Sequence, residues 1–188
     1  MFDLRRSLRR IKPHRFTHPL PRRPRADLPF VTGSPSPGRE LLLDTCVYID
    51  VLQGNTPPEV DALLQLRTSN HLAVCVAELT HAFGRLDPRH PGTEAVLHTV
   101  EGAVAAIPPQ RLEAASADVV IDAGILAGMI FRLCGLRPGR EVAALNDAIL
   151  YLHAMANGQT VLTRNLRDFD VMNQILPGGG ILFYERID

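Results

Sequence analysis

Apolar residues in this chain recur with two different periods. Leu41-Leu42-Leu43, running into Asp44-Thr45, is the continuous apolar run of a parallel strand buried on both faces, and it leads straight into a helix. His71–Val76, Gln159–Thr163 and Ile181–Tyr184 read as further strands, and Ile107–Leu112, which holds two prolines, as an edge strand. Between them the period lengthens to that of helices. Glu59–Arg67 has Val60, Leu63, Leu64 and Arg67 at helical spacing, Glu78 opens a helix running through Leu86, and Thr93 caps another. Ser116–Leu133 is the strongest helix, closed by Gly135, and Glu141–Ala156 ends at Asn157-Gly158. Arg164–Asp170 reads as a polar loop and Val171–Leu176 as a short helix. Strands alternating with helices predict one α/β domain over residues 41–188, with a parallel sheet covered by helices on both faces.

Residues 1–40 do not share this pattern. They hold seven prolines and few large apolar groups after Phe30 and Val31, with the turn-rich Gly33-Ser34-Pro35-Ser36-Pro37-Gly38 near their end. The expectation is a disordered basic arm and linker. It lacks the continuous apolar core of a secretory signal. The net charge of zero hides a division: ten basic and three acidic residues in the arm, against ten basic and seventeen acidic in the rest. Such an arm is either a solvated leader or a phosphate-binding tail whose grip weakens with salt.

Cys46, Cys75 and Cys134 are odd in number, far apart and free of any CxxC spacing, which points to cytoplasmic free thiols in apolar surroundings. No apolar run approaches the length needed to cross a bilayer.

The chemistry lies in the acids. Asp44 follows the first strand, Glu78 the second, Asp147 lies near the start of a long helix, and Asp168 follows Thr163. Working groups in open α/β sheets collect at the carboxyl ends of the strands. Capping or solvation accounts for any one of these acids alone, but four on one rim repel one another unless a cation neutralises them. An all-oxygen set suits Mg²⁺ or Mn²⁺, which can lower the pKa of a water and stabilise charge on a phosphodiester.

Leu42-Leu43-Asp44-Thr45, Ala77-Glu78-Leu79, Asn146-Asp147-Ala148-Ile149 and Thr163-Arg164-Asn165-Leu166-Arg167-Asp168-Phe169 resemble, in order and spacing, the motifs of PIN-domain ribonucleases, and among them the VapC-type toxins of type II toxin–antitoxin pairs. The resemblance covers residues 41–188. It implies an α/β/α sandwich with a central parallel sheet of order 3-2-1-4-5. It also implies a Mg²⁺- or Mn²⁺-dependent endoribonuclease cutting structured RNA such as tRNA or rRNA. By that resemblance Asp44, Glu78 and Asp147 hold metal and Asp168 serves a second ion or its waters. Asn165 stands where some relatives have Asp, so which of Asn165 and Asp168 serves the metal stays open. Thr45 and Thr163 match hydroxyls that orient acids and waters. Cys46 stands where relatives often have Asn or Ser, which would remove a polar contact beside Asp44. A cognate antitoxin is expected to lay a helix in a groove and push a basic side chain at the acids, and a homodimer or toxin–antitoxin hetero-oligomer is expected, with the small-residue helix around Gly124 and Gly128 as one surface.

Other chemistries fail on residue type. A P-loop or receiver domain needs a lysine at its site, and the only lysine is Lys12, in the arm. A haloacid-dehalogenase-like phosphatase needs a second Asp two residues after the first, where Cys46 stands, and no GxGxxG follows the first strand. The seven histidines are scattered, which argues against zinc hydrolysis. His81 shares a helix face with Glu78, Tyr151 reads as core, and Asp122 as surface or interface. The remaining alternative is a catalytically silent PIN-like module that binds RNA or protein, with Arg85, Arg164 and Arg167 holding RNA around the acid rim.

Overall fold

The three leucines of β1 (Leu41–Leu43) sit at the centre of a five-stranded, all-parallel sheet, with Leu41 and Leu42 wholly buried. The computed structural model describes residues 3–187. β1 pairs on one side with β2 (Ser69–Leu72) and on the other with β4 (Thr160–Thr163). β3 (Leu112–Glu113) pairs with β2, and β5 (Gly180–Phe183) pairs with β4. The order 3-2-1-4-5 is the one expected. It reverses beside β1, so Asp44 lies at the switch point where such sheets open a crevice.

Around the sheet stand α2 (Thr45–Gln53), α3 (Pro58–Leu66), α4 (Ala73–Arg85), α5 (Thr93–Ala105), α6 (Ala117–Cys134), α7 (Glu141–Asn157) and α8 (Leu166–Ile175), preceded by α1 (Leu4–Ile11) in the arm. α6 packs on α7 and both pack on α8. Ser116 caps α6 by accepting from the Val119 N–H, and Gly135 (φ 57°) and Gly158 (φ 67°) end α6 and α7 in the left-handed conformation that glycine adopts without Cβ strain.

Two boundaries differ from the expectation in ways that matter for the site. The apolar run after His71 does not continue as strand. β2 stops at Leu72, α4 starts at Ala73, and Cys75 and Leu79 bury one face of that helix. A short unbroken apolar run has no period to separate strand from helix. Glu78 therefore sits inside α4 rather than at its opening. The polar stretch after Arg164 is mostly helix as well. The Asn165 side chain caps α8 by accepting from the Asp168 N–H at 3.3 Å, which places Asp168 in the first turn. The edge strand is also shorter than expected, because Pro109–Arg111 forms a 3₁₀ turn and leaves only Leu112 and Glu113 to pair.

The largest correction concerns residues 1–40, expected to be disordered. Ser7 and Ile11, four residues apart in α1, are both buried, and Ile11 at 1% exposure belongs to the core. Arg10 pairs with Asp122 of α6 at 2.6 Å, so Asp122 is an inward-facing anchor rather than free surface. Phe16, Leu20, Leu28, Phe30 and Val31 pack singly against the core. At residues 29–31 the arm runs parallel to β5. Val31 N–H donates to the Phe183 carbonyl at 2.7 Å and Phe183 N–H to the Pro29 carbonyl at 2.8 Å. Arg25 stacks over the Phe30 ring and pairs with Glu185. Sparse apolar residues used one at a time, and arginines matched to acids on the body, hold a segment whose composition alone reads as unfolded.

Candidate active site

Asp44 emerges from β1 at the N-cap of α2, but its carboxylate does not cap that helix. Its Oδ2 instead accepts from the Thr163 hydroxyl at 2.5 Å, across from the end of β4, and from the Cys46 thiol at 3.1 Å. The cysteine thus supplies the polar contact expected to be missing there. Glu78 is held at both oxygens. The Thr45 hydroxyl donates to Oε2, and the Asn146 amide to Oε1 at 2.6 Å. Asn165 donates its amide to Asp147 at 3.0 Å and to Asp168 at 3.2 Å, while its own N–H is held by the Thr163 oxygen at 2.9 Å. Thr163, wholly buried, is the hinge of this network.

The electrostatics bring the acids together. Burial pushes the Asp147 carboxyl well above the usual range, and the charges of Asp44, Asp168 and Glu78 push it further, against a smaller pull from Arg140. Burial also raises Asp44, opposed by its hydrogen bonds from Thr163 and Cys46 and assisted by the charge of Glu78. Carboxylates contributed by β1, α4, α7 and α8 therefore act on one another in one field. The Cys46 thiol is forced far up by burial and by Asp44, so it stays a neutral donor.

Asp44, Glu78 and Asp147 line a cleft of about 1280 Å³ whose walls carry His81, Arg85, Arg140, Arg164 and Arg167, while Asp168 opens on a smaller hollow that shares Arg140, Asn165 and Arg167 with it. Arg164 is already positioned. Its Nε donates at 2.8 Å to Asp50, which is wholly buried, and the Tyr184 hydroxyl donates to the same Asp50 oxygen at 2.7 Å. Arg167 donates to the Cys134 carbonyl at 2.7 Å, and Arg85 is exposed on the α4 wall. Arg140 and the Asp50–Arg164–Tyr184 chain escaped the sequence reading. Nothing in the spacing announces them, although Arg140 lies directly before the helix that carries Asp147. Tyr151 is core as expected, wholly buried with its hydroxyl on the Leu176 carbonyl.

The donors suit a hard divalent cation: all are oxygens, they repel one another, and Asp168 Oδ1 is buried without a hydrogen-bond partner. As the side chains stand, however, they turn onto neutral neighbours. Among the described residues no group of three or more His, Cys, Asp or Glu side chains is arranged to hold a metal ion. No helix among them is long and apolar enough to cross a membrane.

No family model and no curated protein matches the sequence. Solved structures do match the fold. A chain in the crystal structure of DNA-bound VapBC from Salmonella typhimurium superposes with a TM-score of 0.52 at 21% identity, over 77% of this chain and 97% of that one. A chain of FitAcB from Neisseria gonorrhoeae gives 0.52 at 20% identity, over 77% and 96%. A chain of FitAB bound to an IR36 DNA fragment gives 0.51 at 21%, over 76% and 93%. With its five parallel strands in the order 3-2-1-4-5 and helices on the flanks, the chain has the PIN-like α/β/α fold.

Proposed function

We propose that this chain is a PIN-type toxin that cleaves structured RNA by divalent-metal-dependent hydrolysis. The supporting observation is the Asp147 carboxyl, which feels Asp44, Asp168 and Glu78 together at the floor of an arginine-walled cleft. Asp44, Glu78, Asp147 and Asp168 would hold Mg²⁺ or Mn²⁺. When bound, such an ion acidifies a water and neutralises charge developing on the phosphodiester. Thr163 and Cys46 fix the direction of Asp44, Thr45 and Asn146 that of Glu78, and Asn165 that of Asp147 and Asp168. Arg85, Arg164 and Arg167 would take the flanking phosphates, Arg164 with its orientation set from behind by Asp50. The partner we propose is a small antitoxin that places a basic side chain among the acids, in keeping with structural neighbours that come from VapBC and FitAB complexes.

One observation favours the silent binding module. Both oxygens of Glu78 are engaged by neutral donors, and no ready trio of ligands stands among the described residues. A single experiment separates the two readings. The full chain is incubated with tRNA and Mn²⁺, with and without EDTA, beside Asp44→Asn, while melting temperature is followed as Mn²⁺ is added. The nuclease reading requires cleavage that EDTA and Asp44→Asn abolish, and a Mn²⁺-induced rise in melting temperature that Asp44→Asn diminishes. Cleavage unaffected by the substitution, or RNA binding with neither cleavage nor a Mn²⁺ shift, would refute it.

A further inference from the structure

Among the described residues of the arm, one side chain lines the acidic cleft, and it is Arg22. The backbone on both sides of it is tied to α8. The Pro21 carbonyl accepts from Gln174 at 3.0 Å. Arg23 donates its N–H to Asp170 Oδ2 at 3.0 Å, its Nε to Asp170 Oδ1 at 2.6 Å and its Nη2 to Asn173 at 2.9 Å. Asp170 is 1% exposed, so this is a buried anchor rather than a surface contact. Pro21 and Pro24 fix φ on either side. Between these restraints Arg22 is exposed and carries no side-chain hydrogen bond or ion pair of its own among the described residues.

Its neighbours define the wall it extends. Burial and the charges of Asp168 and Asp170 push the Cys134 thiol up, and Arg167 and Arg22 both pull it back, so both guanidinium groups act on this thiol at the end of α6. Arg140, also exposed and without a side-chain partner among the described residues, acts on Asp147 from the start of α7. Three guanidinium groups from three separate segments thus line the cleft that holds Asp44, Glu78 and Asp147.

We infer that the N-terminal arm is a built part of the substrate surface and that Arg22 contacts a backbone phosphate of the RNA strand lying in the cleft. The inference rests on the nuclease reading for its substrate class, and concerns binding rather than cleavage. A strand that presents one phosphate to the acids lays its neighbours against the walls, where an arginine on an anchored backbone gives up side-chain freedom on contact but adds no cost of ordering the segment. The sequence division supports it: the body is acidic, and the arm returns positive charge to the place where a polyanion must approach.

The test is anisotropy titration of a fluorescein-labelled RNA hairpin in EDTA with the full chain and its Arg22→Ala, Arg22→Lys and Arg39→Ala variants, over a salt series. Losing one phosphate contact to unpaired RNA lowers the slope of log affinity against log salt by about 0.7, which is about fivefold in Kd at 0.1 M salt. Arg22→Ala is expected to show that loss with an unchanged melting temperature, Arg22→Lys to keep the slope, and Arg39→Ala to bind as the parent does. Unchanged affinity and slope in Arg22→Ala, an equal loss in Arg39→Ala, a fall in melting temperature that accounts for the loss, or no RNA binding by the parent chain would overturn the inference. Arg22-dependent binding without metal-dependent cleavage would refute the nuclease reading while leaving this one standing.

Discussion

Arg23→Ala tests whether the arm is held as described. The substitution removes the Nε bond to Asp170 and the Nη2 bond to Asn173, but leaves the Arg23 backbone N–H and Gln174 on the same carboxylate. A hydrogen bond to a charged group is worth about 1.5–3 kcal/mol net, and stripping the partner from a buried ion pair costs about 3–5 kcal/mol. Asp170 keeps two donors, and the Arg23 side chain is 32% exposed, so the lower end applies. About 2 kcal/mol is expected, which for a chain of this size is a fall of about 4–8 °C in melting temperature. Calorimetry of Arg23→Ala, Asp170→Asn and the double variant completes the cycle. Because the two groups touch, the double variant is expected to be more stable than the sum of the singles predicts, by about 1 kcal/mol. A melting temperature for Arg23→Ala within a degree or so of the parent, or strict additivity, would show that the arm is not anchored through this pair.

Two further outcomes follow from buried groups. Ile11→Ala removes a core side chain that is 1% exposed, and is expected to cost about 2–3 kcal/mol by chemical denaturation, whereas a solvated arm would show almost nothing. The pH profile tests the acid cluster. Asp44 and Asp147 hold their protons more tightly in the folded chain than in the unfolded one, so without metal their contribution to stability is fully present below the ordinary carboxylate range of about 4 and is lost as pH rises through their folded-state values. Asp147→Asn in EDTA is therefore expected to melt increasingly above the parent as pH rises, and parallel pH profiles would contradict the mutual repulsion.

The leucine run ending at Asp44 made the central strand and its acid legible, and the capping and glycine signals placed α6 and α7 closely. The strand order came from resemblance to PIN domains rather than from any period in the residues. What escaped did so for identifiable reasons. The start of α4 was hidden in an apolar run too short to show a period, and the start of α8 in a polar segment whose capping residue, Asn165, read as part of a motif. The arm was misjudged because disorder is inferred from average composition, whereas Arg10, Phe30 and Arg23 act as single anchors whose partners lie more than a hundred residues away. The four candidate acids stand out in the sequence by their place after apolar runs and by the motif resemblance, although Glu78 and Asp147 lie inside helices. The groups that aim them could not. Asn146 on Glu78 and Asp50 behind Arg164 depend on side-chain directions that only the assembled chain supplies.

The pairing of residues 29–31 with Phe183 has a consequence for assembly. It occupies the outer rail of the sheet beside β5, where an unclaimed row of amides and carbonyls would invite another polypeptide to polymerise by strand addition. The opposite margin offers only Leu112 and Glu113. A second chain joining this molecule must therefore grip its helices or its cleft, and the arm acts as a selvedge that keeps the sheet from being extended.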